Sequence, residues 1–412
     1  MVPPAGDGGR HPYLPRGQPH RHCPRPRCGS GRAGARGSCA GALCAPCASL
    51  AHPARTLHLR RAQTQMRHLP DPRSLPLRGK DGMKQFQIVG IGNALVDVLS
   101  HCDDAFLAEN GIAKGIMQLI DMGRAVDLYG RIGPAQEISG GSAANTIAGI
   151  AQLGGRTAYV GKVCDDQLGA IFAHDLRAQG AVYETPMAPK GGAQETGRCI
   201  ILVSPDGERS MNTCLGWSEF LTPDDIDEAQ MASTEWIYLE GYRFDGPESH
   251  AAFAKAIAAC RGAGGRVSLT LSDPFCVERH RDAFRRMIRE DVDLLFANRA
   301  EILSMYRTED FGAALKAAAA EVAIVACTES EKGAHILADG QHWHVPALPT
   351  QIVDATGAGD LFAGAFLWGL THGHGYETAG RMGCIAASEV ISHLGARPEA
   401  DLRALFRAQG VL

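Results

Sequence analysis

Short apolar runs alternate with helix-like patterns through most of the chain after residue 85. The apolar runs predict buried strands at 86–92, 157–163, 236–239, 267–271, 294–297 and 323–327. Apolar residues three and four apart predict helices at 142–153, 169–179, 248–261, 280–289, 310–320, 358–371 and 376–392. Strands that alternate with helices indicate a mostly parallel sheet covered on both faces, which is an α/β fold.

Two hairpin-like segments, near 103–121 and 196–214, do not follow this alternation. In the second, apolar runs at 197–203 and 209–214 flank a Pro-Asp-Gly turn at 205–207, as in a β-hairpin. We expect both segments to form a separate small sheet. Because ligands of such folds bind outside the carboxyl ends of the parallel strands, that sheet would act as a lid, with segments near 98–125 and 190–216.

Residues 1–82 differ sharply from the rest of the chain. They hold 12 of the 22 prolines and carry 14 Lys and Arg against 3 Asp and Glu, a net charge of +11. Such a segment buries too little apolar surface to offset its ordering entropy. The Cys44-x-x-Cys47 pair has no second pair at zinc-ribbon spacing. We interpret residues 1–82 as a disordered extension, or as sequence wrongly assigned upstream of a start at Met83, and 83–412 as the folded domain.

Charge and hydropathy limit the classes of partner that the sequence predicts for this chain. Since the whole chain carries −4, residues 83–412 carry −15, which argues against nucleic acid as the main partner. The sequence lacks an uninterrupted apolar run of about 18 residues, so no membrane span is predicted. The eight cysteines of this part are scattered singly, which is typical of reduced thiols in a cytoplasmic protein.

The run from Gly357 to Asp360 carries the clearest chemistry. Gly357, Ala358 and Gly359 open a predicted helix, and a Gly-rich turn at a helix N-terminus directs backbone N–H groups toward an anion. Asp360 then lies where a carboxylate accepts a proton from a substrate hydroxyl. An anion hole with a carboxylate base is what phosphoryl transfer to an alcohol requires. A helix-capping Asp after two loop glycines is the alternative interpretation.

A second Gly-rich helix start lies about 200 residues earlier, at Gly140-Gly141-Ser142-Ala143-Ala144-Asn145. The two runs, in this order, resemble the two signatures of the PfkB, or ribokinase-like, family of carbohydrate and nucleoside kinases. The resemblance covers about 84–402. It implies a three-layer α/β/α fold with a small β lid, ATP and Mg²⁺ as cofactors, Asp360 as catalytic base, and an anion hole formed by the Gly357, Ala358 and Gly359 amides.

The same resemblance implies further roles. The residues implied to bind substrate are Asn93, Asp97, Gly140, Gly141 and Asn145, with Asp97 holding two hydroxyls of a furanose. Those implied to bind the nucleotide are Asn298, Thr328, Gly333, Gly357 and Gly359. Glu301, in an Asn-x-x-Glu motif, is implied to hold Mg²⁺ through water. Asp354 corresponds to a position that helps some members bind a monovalent cation such as K⁺. A capping box alone would also explain Asn298 and Glu301.

Residues 90–97, 114–121 and 209–216 resemble the adenosine kinase branch of the family. They favour phosphorylation of adenosine to AMP, a purine salvage reaction, with Met117, Met211 or Trp217 covering the purine. Two alternatives stay open, a sugar kinase that acts on ribose or a related sugar and a non-catalytic nucleotide-binding regulator. The expected partners are ATP and a nucleoside or sugar, with neither nucleic acid nor membrane, in a monomer or homodimer.

Overall fold

The computed structural model describes residues 84–412, which belong to one compact unit. The predictions for residues 1–82 and for a start at Met83 lie outside the described residues. The strands in chain order are β1 Phe86–Ile91, β2 Leu95–His101, β3 Met117–Leu119, β4 Ala135–Gly140, β5 Thr157–Val160, β6 Val182–Tyr183, β7 Gly197–Val203, β8 Arg209–Cys214, β9 Thr234–Glu240, β10 Arg266–Thr270, β11 Leu294–Asn298, β12 Ile324–Thr328, β13 Ala334–Ala338 and β14 Gln341–Val345. The helices are α1 Asp104–Glu109, α2 Met122–Tyr129, α3 Ser142–Gln152, α4 Gln167–Ala178, α5 Glu228–Ala232, α6 Ser249–Gly262, α7 Pro274–Glu290, α8 Arg299–Tyr306, α9 Phe311–Ala319, α10 Ala358–Thr371, α11 Tyr376–Val390 and α12 Leu402–Ala408.

Nine strands form the main sheet in the order β14-β13-β12-β11-β10-β9-β1-β5-β6. The strands from β12 to β6 pair in parallel, and β13 and β14 are added in antiparallel fashion. Successive residues of a strand point to opposite faces. In β1, Ile88 packs into a core with α3, α10 and α11, while Val89 packs into a second core with α6 and α7. The predicted three-layer α/β/α architecture is confirmed.

The second sheet has five strands in the order β3-β8-β7-β2-β4. The hairpin predicted at 197–214 is present, because β7 and β8 pair in antiparallel fashion. The hairpin predicted near 103–121 is wrong. There α1 is followed by β3, which pairs in parallel with β8 instead of folding back on a neighbouring segment.

The hydrophobic pattern did not predict several of the observed elements. Strands β2 and β4 of the small sheet were not predicted, and neither were helices α2, α5, α8 and α12. The four helices have five to eight residues and β4 is largely polar, so periodicity has few residues on which to act, whereas β2 is a seven-residue strand that the pattern missed. Within residues 84–412, every helix is too short or too polar to cross a membrane.

Candidate active site

A cavity of about 840 Å³ lies between the two sheets. The main sheet contributes Asn93 after β1 and the last residues of four parallel strands, Glu240, Thr270, Asn298 and Thr328. The N-termini of α3 and α10 supply Gly141, Ser142, Gly357, Gly359 and Asp360. The cavity therefore lies outside the carboxyl ends of the parallel strands, as expected for an α/β sheet.

Glycine begins both helices that point into the cavity. Gly141 precedes α3 at φ +92°, and a Cβ there would lie 2.2 Å from the Asn93 carbonyl oxygen. Gly357 precedes α10 at φ +81° and has no side chain to cap the helix. The first amides of α10 are thus available to a ligand, and they carry the positive end of the helix dipole. A Cβ on Gly359 would meet open space, so this part of the backbone faces the cavity.

Asp360 is held from α3. Its Oδ1 accepts a hydrogen bond from the Ser142 hydroxyl at 2.6 Å, and its Oδ2 accepts one from Asn145 Nδ2 at 3.0 Å. Burial raises the pKa of Asp360 to about 6, although these hydrogen bonds and Arg397 act in the opposite direction. A carboxylate with a pKa near neutrality, fixed beside free helix amides, is suited to accept a proton. The two glycine-rich runs therefore meet at one buried carboxylate, that of Asp360.

Asp97 lies inside a strand of the small sheet. It is the third residue of β2, in register with Cys199 of β7. Alternate residues of the small sheet face the cavity, and the others pack into the main core. The cavity face consists of Leu95, Asp97, Met117, Leu119, Cys199, Ile201, Met211 and Thr213. Asp97 is the charged group on a face that is otherwise apolar apart from Thr213.

The carboxyl group of Asp97 is packed against Gly140. A Cβ at Gly140 would lie 2.3 Å from Asp97 Cγ, so a glycine is required for this contact. Burial raises the pKa of Asp97 to about 7, with Arg397 and Arg209 opposing the shift and Asp360 and Asp354 adding to it.

A buried network that the sequence did not reveal supports Asn93. Its Oδ1 accepts a hydrogen bond from Arg243 Nη1 at 3.0 Å, and its backbone N–H donates to Glu240 Oε1 at 3.2 Å. The other Glu240 oxygen accepts from the Ala143 N–H at 2.8 Å. Burial raises the pKa of Glu240 to about 7. Glu240 thus joins the end of β1 to the start of α3, over separations of 147 and 97 residues.

Asn298 and Glu301 form a reciprocal capping box at the start of α8. The Asn298 backbone N–H and Nδ2 donate to Glu301 at 2.8 and 2.6 Å, and the Glu301 N–H donates to Asn298 Oδ1 at 2.9 Å. Burial raises the pKa of Glu301 to about 7. Both residues also line the cavity, so the capping role does not exclude water-mediated contact with Mg²⁺.

Of the other predicted residues, some line the cavity and others do not. Thr328 lines the cavity at the end of β12, whereas Gly333, at φ +97°, lies in the turn before β13 and outside the lining. Asp354 is buried, and its carboxylate accepts from Thr356 and Gly395 and pairs with Arg209 at 2.7 Å. Trp217 does not line the cavity; its ring packs against Phe220.

Residues 118–402 match the family model described as pfkB family carbohydrate kinase. The chain belongs to this family. A solved structure of a probable sugar kinase protein from Rhizobium etli CFN 42 is 46% identical, with a TM-score of 0.75, and the match covers 80% of this chain and 100% of that one. The adenosine kinase structure from Sinorhizobium meliloti is also 46% identical, with a TM-score of 0.74, and the match covers 79% and 99%. Adenosine kinase 1 of Arabidopsis thaliana is 26% identical over 338 residues, which are 75% of this chain and 94% of that protein.

The predicted family and fold are therefore confirmed. As a pfkB-family kinase, the protein uses ATP, typically with Mg²⁺, to phosphorylate a carbohydrate or nucleoside hydroxyl. The N-terminus of α10 faces the cavity, and Asp360 lies in the first turn of that helix. The relatives include both sugar kinases and adenosine kinases.

Proposed function

We propose that this protein phosphorylates the 5′-hydroxyl of a nucleoside with ATP, and that its acceptor is adenosine, which yields AMP for purine salvage. This proposal rests on the cavity face of the small sheet, where Asp97 lies among apolar side chains. A carboxylate suits the vicinal hydroxyls of a ribose. The thioethers of Met117 and Met211 and the side chain of Leu119 suit the apolar faces of a purine.

In this proposal each residue near the reacting atoms has one task. Asp360 takes the proton from the 5′-hydroxyl as its oxygen attacks the γ-phosphorus of ATP, and ADP leaves. The amides at Gly357, Ala358 and Gly359 hold the γ-phosphate oxygens. Asn298 and Glu301 would hold Mg²⁺ through water, and the ion neutralises phosphate charge when bound. Thr328 contacts the nucleotide, and Asn93, Gly140, Gly141 and Asn145 shape the acceptor site.

The second candidate is a sugar kinase. It is favoured by the Rhizobium etli structure, which is described as a probable sugar kinase protein and whose identity to this chain, 46%, equals that of the adenosine kinase structure. A free sugar would use Asp97 and Asp360 in the same way but would leave Met117 and Leu119 exposed, as they are now at 41% and 56%.

A substrate panel distinguishes the candidates. Purified protein with ATP and Mg²⁺ is offered adenosine, inosine, ribose and fructose, and ADP release is measured over a range of acceptor concentrations. Adenosine is expected to show the highest kcat/KM, and ³¹P NMR is expected to place the phosphate on the 5′-oxygen. A higher kcat/KM for ribose or fructose would establish the sugar kinase instead.

The proposal also includes the cellular location of the protein and its oligomeric state. The eight cysteines between residues 84 and 412 are free thiols, which supports a cytoplasmic location. We expect the protein to be a monomer or a homodimer, and analytical ultracentrifugation would measure which.

A further inference from the structure

Three histidines crowd one face of the antiparallel edge of the main sheet, outside the catalytic cavity. They are His335 of β13 and His342 and His344 of β14. His335 and His344 are cross-strand partners, and their rings stack with centroids 4.6 Å apart. His335 Nδ1 lies 3.0 Å from His342 Nε2. Two imidazole nitrogens from adjacent strands thus point at each other.

The opposite nitrogen of His335 is fixed by a carboxylate. His335 Nε2 lies 3.1 Å from Glu329 Oε2, while Arg299 and Lys332 hold the other oxygen of Glu329 at 2.6 and 2.8 Å. A carboxylate paired with two cations accepts hydrogen bonds, so Nε2 of His335 carries the proton, and its Nδ1 accepts the 3.0 Å hydrogen bond from Nε2–H of His342. A carboxylate that orients a histidine through its second nitrogen is the usual support of a metal-binding imidazole.

Burial also keeps this imidazole neutral. It lowers the pKa of His335, and the neighbouring His344 and His342 lower it further against the opposing effect of Glu329. A neutral imidazole is the form that binds metals. His342 is exposed, so an ion can reach the pair from solvent.

We propose that a late first-row divalent metal ion such as Zn²⁺ displaces the proton between His335 Nδ1 and His342 Nε2 into solvent, with His342 taking the tautomer protonated on Nδ1, and binds both nitrogens. Two nitrogens on a tetrahedral zinc, at Zn–N of about 2.0–2.1 Å, lie about 3.3 Å apart, so a small side-chain movement admits the ion between them. Within residues 84–412, no group of three or more His, Cys, Asp or Glu side chains is arranged to hold a metal ion. Water therefore fills the remaining positions, and the site is weaker than a structural zinc site.

Calorimetric titration of the full chain with Zn²⁺ tests the site. Because Cys44 and Cys47 are also present, the decisive quantity is the difference between variants. Wild type is expected to bind one more Zn²⁺ than His342→Gln or His335→Gln. The control, His174→Gln, alters a histidine that is 80% exposed and lies outside this cluster, and it should keep the wild-type stoichiometry.

Two further measurements bear on the geometry. Glu329→Gln should keep the stoichiometry and weaken Zn²⁺ binding at the site about ten- to hundredfold, since it removes the charged group that orients His335. Crystals soaked in Zn²⁺ should show an anomalous peak between His335 and His342. Since His342 is exposed on an edge strand, its variant is expected to fold, which a melting curve checks. Equal stoichiometry in wild type and His342→Gln, or no anomalous peak, would overturn the proposal.

Discussion

The guanidinium of Arg209 lies 2.7 Å from the carboxylate of Asp354, and both side chains are largely buried. Arg209 belongs to β8 of the small sheet, whereas Asp354 lies shortly before α10. This ion pair connects the small sheet to the loop that provides the anion hole. It also places a protein cation beside the carboxylate that the family resemblance implies for K⁺, so any monovalent ion there would share Asp354 with Arg209.

Replacement of Arg209 by Met should destabilise the protein markedly, because it leaves the buried Asp354 charge without its cationic partner. Loss of one partner of a buried pair costs about 3–5 kcal/mol. The double variant Arg209→Met, Asp354→Asn should lose less unfolding free energy than the two single variants added together. Lys114→Met, which breaks more exposed pairs with Asp104 and Asp206, is the control and should have a much smaller effect. Additive losses in urea unfolding would show that the pair is not coupled.

Asp360→Asn is expected to reduce kcat by about a thousandfold or more, because the general base also loses its charge and its orienting role. KM for the acceptor should change little, since Asn keeps the shape and can still contact Ser142 and Asn145. Steady-state ADP release measures both constants. A variant that keeps more than a tenth of the wild-type kcat would remove Asp360 from the role of base.

The pH dependence should reveal two carboxyl groups. The pKa of Asp97 is raised to about 7 and that of Asp360 to about 6, and both must be ionised to act. As pH falls through these values each group gains a proton, so kcat/KM for the acceptor should fall below pH 7 and more steeply below pH 6. Ser142→Ala removes a hydrogen bond that lowers the pKa of Asp360, so the acid limb of kcat should move to higher pH. Ser268→Ala, whose hydroxyl bonds the Ile237 carbonyl, should leave the limb in place.

Asp97→Ala should raise KM for the nucleoside at least about tenfold, because each lost charge-assisted hydrogen bond is worth about 1.5–3 kcal/mol. KM for ATP should stay nearly constant. Deoxyribose analogues should be discriminated strongly by the wild type and poorly by the variant. If KM for ATP rose and that of the acceptor did not, the two ends of the cavity would have been assigned in reverse.

Gly357 and Gly359 offer a matched pair of substitutions. A Cβ at Gly359 meets open space, so Gly359→Ala should keep the melting temperature yet lower kcat by placing a methyl group where phosphate oxygens bind. Gly357 has φ +81°, and a Cβ there would lie 2.8 Å from Ala396 Cβ, so Gly357→Ala should lower both melting temperature and kcat. Full activity in Gly359→Ala would show that phosphate does not bind at this turn.

The sequence by itself determined the main layers and the two glycine-rich helix starts. Strands such as β9 and β11 contain continuous apolar runs of four residues, and helices α10 and α11 were predicted within two residues of their observed ends. Local signals suffice for such elements, because side-chain periodicity and the special backbone freedom of glycine act over a few residues. The same local signals indicated Asp360 as a base next to an anion hole.

Only the tertiary structure decided how the site is held together. Ser142 and Asn145 reach Asp360 across 218 and 215 residues, and Glu240 and Arg243 reach Asn93 across 147 and 150. The strands of the small sheet that set the position of Asp97, β4 and β7 on either side of β2, likewise are distant in sequence from it. Such contacts follow from strand order and register, which no local pattern encodes, because a strand acquires its neighbours only when the whole sheet assembles.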